Sequence, residues 1–226
     1  MFSAPLTKIR FYHQQLTCKN TLVNQYYQAM APLLNQSINN TPLLAIDLEM
    51  TGLNVQHDQI ISIGLIPIVN GEIILNKGQH KLIKIEGSVG QSATIHGVLD
   101  NDLDQAISLD KALTWLFQQA AGYVLVAHHA PLDMRFIEQA LYQQTSQIVR
   151  LFAIDTMRIE QQRLLRKQSI INTGDLRLDC CRQRYNLPNY AAHNALVDAL
   201  SCAELLLAQL NKMGEIEKIT TAELMR

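Results

Sequence analysis

LLAIDLEM, residues 43–50, is the stretch that most restricts what the chain can fold into. Its apolar start reads as a buried strand, yet Asp47 and Glu49 stand where that strand should continue. Residues i and i+2 of a strand point to one face, so the two carboxylates project side by side while Leu48 enters the opposite layer. Two ionised acids this close repel unless something positive lies between them. Oxygen ligands of this kind suit Mg²⁺ or Mn²⁺. A DxE pair by itself is as readily a solvated strand end, so the reading depends on partners elsewhere in the chain.

The pattern around it is that of an α/β protein. PLLAIDLEM and QIISIGLIPIV read as the first two strands, NGE as a tight turn, and IILNKGQHKLIKI as the return strand of an antiparallel meander. Then come a helix ending at Gly122, the short buried strand YVLVAH, the helix PLDMRFIEQALYQQT and the strand RLFAID. TMRIEQQRLLRKQ, DLRLDCCRQRYNL and HNALVDALSCAELLLAQLNKMG complete the chain as helices. A meander followed by alternating helices and strands predicts a mixed sheet with helices on both faces. Residues 1–40 carry no acid and are rich in Gln and Asn. They predict an N-terminal helical arm, broken near Pro32, ahead of a main domain at 41–226.

Two further acids stand at helix starts. Asp133 follows the strand–turn VAHHAP, a position the helix macrodipole alone would favour. In HNALVD, His193 and Asp198 are five residues apart, about 140° around an ideal helix. They converge only if His193 lies in the entry loop and Asp198 one turn inside. Apolar neighbours on both sides of Asp198 argue against a purely solvated position.

In this order, DLEMTGL, VAHHAPLD and HNALVD resemble the three motifs of the DEDD superfamily of 3′–5′ exonucleases. The resemblance covers about residues 42–210, and TIHGV and IDT agree with its branch around the epsilon subunit of DNA polymerase III and ribonuclease T. Asn194 stands where the Tyr subtype needs tyrosine, which indicates the His subtype. Two positions depart from the common pattern: Met50 replaces a threonine of the first motif, and His129 an asparagine of the second. Leu132 stands where an aromatic residue is frequent. These positions bear on substrate preference.

The resemblance implies a ribonuclease H-like, five-stranded mixed sheet. It implies that Asp47, Glu49, Asp133 and Asp198 surround two divalent metal ions, Mg²⁺ or Mn²⁺, with Asp47 bridging them. His193 would take the proton of the attacking water, in its neutral form. Met50, Thr51, Gly52 and Leu53 would meet the terminal nucleotide, Leu53 against its base. His96 and His128 would lie near that nucleotide or its phosphate. The expected reaction releases nucleoside 5′-monophosphates from 3′ ends, single-stranded DNA ahead of RNA or short oligonucleotides. A fold retained as a non-catalytic nucleic-acid or polymerase-binding module is the reading from another class.

Charge bears on that choice. Lys and Arg number 19 against 20 Asp and Glu. The chain is therefore no basic nucleic-acid sponge, and tight binding without chemistry would need more cations. The richest basic stretch, Arg150 to Arg184, reads as a solvated face or a phosphate track. Cys18, Cys180, Cys181 and Cys202 form no CxxC pair, which predicts reduced thiols and no zinc site. No apolar run approaches the ~18 residues of a membrane span, and the N-terminus lacks the apolar core of a signal peptide. A cytoplasmic protein is expected, with the arm free to dock a polymerase or a second copy.

Overall fold

The run that ends in two acids is a strand, β1 (Leu43–Met50), at the centre of a mixed sheet in a computed structural model. The structure describes residues 4–86, 106–166, 170–172, 174–191 and 193–225. β1 pairs antiparallel with β2 (Ile60–Val69), in a register that sets Asp47 opposite Gly64 and Glu49 opposite Ser62. β5 (Val124–Ala127) runs parallel to β1, and β6 (Ala153–Asp155) parallel to β5. Both side-chain rows of β1 are buried: Leu44, Ile46 and Leu48 on one, Leu43, Ala45 and Glu49 on the other. Layers therefore cover both faces of the sheet.

The described sheet has six strands rather than the five expected, because the return strand is broken. Asn70 and Gly71, with φ of 53° and 75°, make the two-residue turn into β3 (Glu72–Ile73), as a primed hairpin turn requires. A 3₁₀ turn at Leu75–Lys77 then interrupts pairing, and β4 (Gln79–Leu82) resumes it further along β2. The strand order is β3-β2-β1-β5-β6, with β4 also on β2. β5 and β6 end level, Ala127 opposite Asp155, while β1 runs on past them through Asp47 and Glu49, and the acids gather at this carboxyl end of the parallel strands.

The helices are α1 (Ala4–Thr17), α2 (Thr21–Met30), α3 (Leu109–Ala120), α4 (Ala130–Thr145), α5 (Thr156–Leu165), α6 (Leu178–Gln183), α7 (Ala195–Met213) and α8 (Thr221–Leu224). α7 crosses β1 and β2 on the face that carries Asp47. Gly64 permits this approach: a Cβ there would overlap the backbone of Ala195 and Leu196. None of the described helices is long and apolar enough to cross a membrane. All four cysteines are free thiols.

The N-terminal helices form where expected, with a 3₁₀ turn at Ala31–Asn35 carrying Pro32. They are packed rather than free. Phe11, Val23, Tyr26, Tyr27 and Met30 belong to the same buried cluster as Leu44 and Val126. Phe11 meets Phe152 edge-on at 5.5 Å, and Tyr26 meets Phe117 at 5.6 Å. Aromatic pairs of this kind add about 0.5–1.5 kcal/mol each beyond the area they bury. His96 and the surrounding TIHGV lie outside the described residues.

Candidate active site

Three elements bring their acids to one place. Asp47 and Glu49 project from β1 on one face, and a register shift between Glu49 and Met50 ends the regular ladder just beyond them. Such a bulge turns the strand and re-aims the residues that follow. Asp198 arrives from the first turn of α7. Donor oxygens of Asp47, Glu49 and Asp198 all lie within 4.8 Å of one another. Asp133, in the first turn of α4, is 4% exposed. It faces the same cluster closely enough to raise the Asp47 carboxyl by like-charge repulsion.

The geometry at the start of α7 answers the convergence question that the sequence raises. Asn194 caps the helix, its Oδ1 accepting the backbone N–H groups of Leu196 and Val197 at 3.1 and 3.2 Å. His193 precedes it in the left-handed region, φ 71°. That turn lets the His193 backbone N–H donate to Asp198 Oδ2 at 2.8 Å. His193 thus sits in the entry loop and Asp198 one turn inside.

Burial pushes all four carboxyls up, and repulsion from neighbouring acids adds to it at Asp47, Glu49 and Asp133. Asp47 is raised well above its usual range by burial first, then by Asp133, Asp198 and Glu49. Glu49 is pushed from 4.5 to about 8 by burial and by Asp198. Asp133 is raised by burial and by Asp155. Asp198 is raised by burial, against the lowering influence of its bond from His193. An all-carboxylate oxygen set under this repulsion fits a hard divalent cation, whose charge removes the penalty.

Residues other than the four acids and His193 hold the site in shape. Asp155 accepts the backbone N–H of His129 at 3.0 Å and that of Met157 at 3.1 Å. It therefore anchors the start of α4, which carries Asp133, and caps α5. His129 is left-handed at φ 70°, a conformation in which asparagine and histidine are both enriched. The His128 ring is spoken for: Nδ1 meets Thr156 Oγ1 and Nε2 meets the Leu176 carbonyl, both at 2.8 Å. It bolts the end of β5 to α5 and to the segment before α6, and its edge lines the cleft.

The DLEMTGL turn has its own clamp. Asp58 accepts Thr51 Oγ1 at 3.1 Å and the Asn54 backbone N–H at 2.7 Å. Thr51 Oγ1 in turn accepts the Gln59 N–H at 2.9 Å. A Cβ at Gly52 would strike the Asp58 carboxylate. Met50 packs against the core, and Leu53 is 74% exposed at the tip. Nothing in the periodicity of NVQHDQ marks Asp58. Its signal is only that a tight turn near buried acids needs an acceptor for its N–H groups.

A cleft of about 420 Å³ opens on Asp47, Asp198 and His193, with Arg177, Asp179 and Tyr190 on its far wall. Arg182 braces that wall. It is 2% exposed, donates to the Ser201 and Pro188 carbonyls and to Glu204, and lies 4.8 Å over the Tyr190 ring. Arg163 and Arg184 are bound to the buried Glu160. Among the described residues of the basic stretch from Arg150 to Arg184, five arginines are in ion pairs: Arg150, Arg163, Arg177, Arg182 and Arg184.

Comparison with known proteins agrees with this arrangement. The family model described as RNase_T, exonuclease, matches residues 44–206. A PolC-type DNA polymerase III of Thermotoga petrophila is 28% identical over 183 residues, covering 80% of this chain but 13% of the relative. The DNA polymerase III subunit epsilon of Buchnera aphidicola subsp. Schizaphis graminum is 30% identical over 183 residues, 75% of each chain. Among solved structures, exonuclease X in complex with 5′-overhanging duplex DNA superposes with a TM-score of 0.58 at 20% identity, over 80% of this chain and 96% of that one. At that identity the likeness carries the ribonuclease H-like fold alone. The family match, spanning the segment that holds all three motifs, places this chain in the RNase_T exonuclease family of the DEDD superfamily.

Proposed function

We propose that the protein is a divalent-metal-dependent 3′–5′ exonuclease that releases nucleoside 5′-monophosphates from single-stranded DNA 3′ ends in the cytoplasm. The observation that carries this reading is the meeting of Asp47, Glu49 and Asp198 with His193 at one cleft. Asp47, Glu49, Asp133 and Asp198 would hold two ions, Mg²⁺ or Mn²⁺. When bound, such ions activate a water and neutralise charge on the phosphate and leaving oxygens. The protein's own work is positional. β1 presents its acids as one row, α4 and α7 add theirs from helix starts, and the His193–Asp198 bond holds the base beside the acids.

His193 takes the proton of the attacking water through its exposed imidazole. Gly52 leaves the turn open beside the terminal sugar, and Leu53 wedges against the terminal base. Met50 and Thr51 hold that turn from beneath. The similarity to proteins named as DNA polymerase III supports DNA rather than RNA as the substrate of this chain. The test is digestion of end-labelled single-stranded DNA, duplex DNA and RNA with Mg²⁺ or Mn²⁺. The expected outcome is stepwise loss from the 3′ end, fastest on single-stranded DNA, with 5′-monophosphates as products. Shortening from the 5′ end would overturn the direction, and faster digestion of RNA would overturn the substrate.

A further inference from the structure

A groove of about 880 Å³ lies between α1 and α4 and beside the edge strand β6, and shares no lining residue with the cleft that opens on Asp47, Asp198 and His193. One wall is the exposed side of α1, with Leu6, Ile9 and Arg10; the other is α4, with Met134 and Arg135; Arg150 and Phe152 contribute to the floor. Leu6 and Ile9 are 55% and 65% exposed. Arg10, Arg135 and Arg150 are exposed, and Arg158 adds a fourth guanidinium to the lining against two acids, Glu138 and Asp155. Glu138 is engaged by the Leu151 N–H at 2.7 Å and by Arg150 at 3.4 Å. Asp155 is engaged by the helix starts. In a chain with as many acids as bases, this is a local surplus of positive charge.

The groove reaches the start of α4, the helix that brings Asp133 to the acids. Its rim includes Ala130, Pro131 and Asp155, and α4 carries Asp133 one residue before Met134. From Leu6 to His13 the wall runs about 10 Å at 1.5 Å per residue. That is about three nucleotides of stacked strand at 3.4 Å each. Guanidinium groups at intervals along an apolar-walled channel match a chain of phosphates with bases between them.

We propose that this groove, built by the N-terminal helix, carries the nucleotides that precede the scissile end of a single-stranded substrate. The proposal rests on the exonuclease reading, and substrate length separates the two. The test compares a dinucleotide with a twelve-nucleotide oligodeoxythymidylate, on wild type and on an Arg10→Gln/Arg135→Gln/Arg150→Gln variant checked for folding by thermal melting. For the long substrate the variant should show KM raised about tenfold or more with kcat retained, and dinucleotide hydrolysis unchanged. The slope of log KM against log salt should flatten by about 2, near 0.7 for each phosphate contact removed from a single strand. Equal kinetics of the two proteins on the long substrate would overturn the groove, and so would an equal loss on both lengths.

If wild type hydrolyses neither substrate, the exonuclease reading fails alone. Fluorescence anisotropy of the labelled long oligonucleotide then still tests the groove, with weaker binding by the variant expected. Should the triple variant melt early, Arg10→Gln on the outer side of α1 is the second test, expected to raise the long-substrate KM severalfold. Sedimentation gives the remaining check: a wild-type dimer that Leu6→Glu/Ile9→Glu dissociates, with long-substrate KM unaltered, would assign the groove to a second copy and overturn the proposal.

Discussion

The backbone N–H of His193 donates to Asp198 Oδ2 at 2.8 Å, so the histidine's main chain itself positions the acid. The two functions of His193 are therefore separable by mutation. His193→Ala keeps the N–H, and with it the placement of Asp198, while removing the imidazole. A positioned general base contributes about 10²–10⁴-fold to rate. Turnover should fall by that factor while divalent ions still raise the melting temperature. Steady-state kinetics and thermal melts with and without Mg²⁺ check both halves. Loss of the metal effect in His193→Ala would identify the ring as a ligand.

Gly64 offers a test of how α7 is seated. A Cβ at this position would enter the Ala195 and Leu196 backbone, which cannot yield as a flexible side chain can. Gly64→Ala should push the start of α7 away from β2 and carry Asp198 from Asp47. Overpacking of this kind costs about 1–3 kcal/mol. Activity should fall further than that cost in stability implies, because the acids separate. A variant with near wild-type turnover at low temperature would show that α7 can shift without cost to the site.

How much of this was legible in the sequence follows from the range over which each signal acts. Asp47 and Glu49 were legible because strand alternation is local, and Asp198 because a helix start restricts where its first turn points. The NGE turn was legible from Asn70 and Gly71 alone. The break of the return strand at Leu75–Lys77 was not, since Asn76 and Gly78 inside a strand-like run do not say whether pairing bulges or stops. Nor was the burial of the N-terminal helices: no local pattern tells what Phe11 and Tyr27 pack against, and contact with Phe152 and the Arg150 carbonyl makes them core. Asp58 and Gly64 act across distances that no periodicity encodes.

Glu160 is the buried anchor behind the cleft wall. It accepts Arg163 at 3.1 and 2.6 Å and Tyr185 Oη at 2.8 Å, with Arg184 at 3.6 Å. Burial pushes its carboxyl up, and the bonds from Arg163 and Tyr185 outweigh that and hold it below its ordinary value. Glu160→Ala strands these partners. Breaking a buried pair costs about 3–5 kcal/mol, and the quarter exposure of both arginines places this one near the lower end. A fall of about 6–12 °C in melting temperature follows for a chain of this size. Because the native value is depressed, the advantage of wild type over Glu160→Ala is present above the ordinary glutamate range. It is lost as pH falls through the native value. A gap between the two melting curves that widens in acid would contradict the assignment.

The carboxylates of the active site have the opposite sign. Glu49 is raised from 4.5 to about 8 by burial and by Asp198, so in the native state its proton is held more tightly than in the unfolded chain. The stability this proton provides is present below pH 4.5 and is lost as pH rises toward 8. In the presence of a chelator the protein should therefore melt at a higher temperature in mild acid than at pH 8, as far as these groups decide. Divalent ions should remove most of that slope, because metal and protons compete for the same oxygens. Glu49→Gln isolates the contribution. Without metal it removes one repelling charge, so the variant should melt above wild type at pH 8 and alongside it near pH 5. With metal the order should reverse, since the variant has lost a ligand and its hydrolysis should be nearly abolished. Melting curves at the two pH values, each with chelator and with Mg²⁺, give the four numbers required. A Glu49→Gln variant that melts below wild type at pH 8 in chelator would mean that the charge is compensated within the protein, and that the cluster is not held open for a cation.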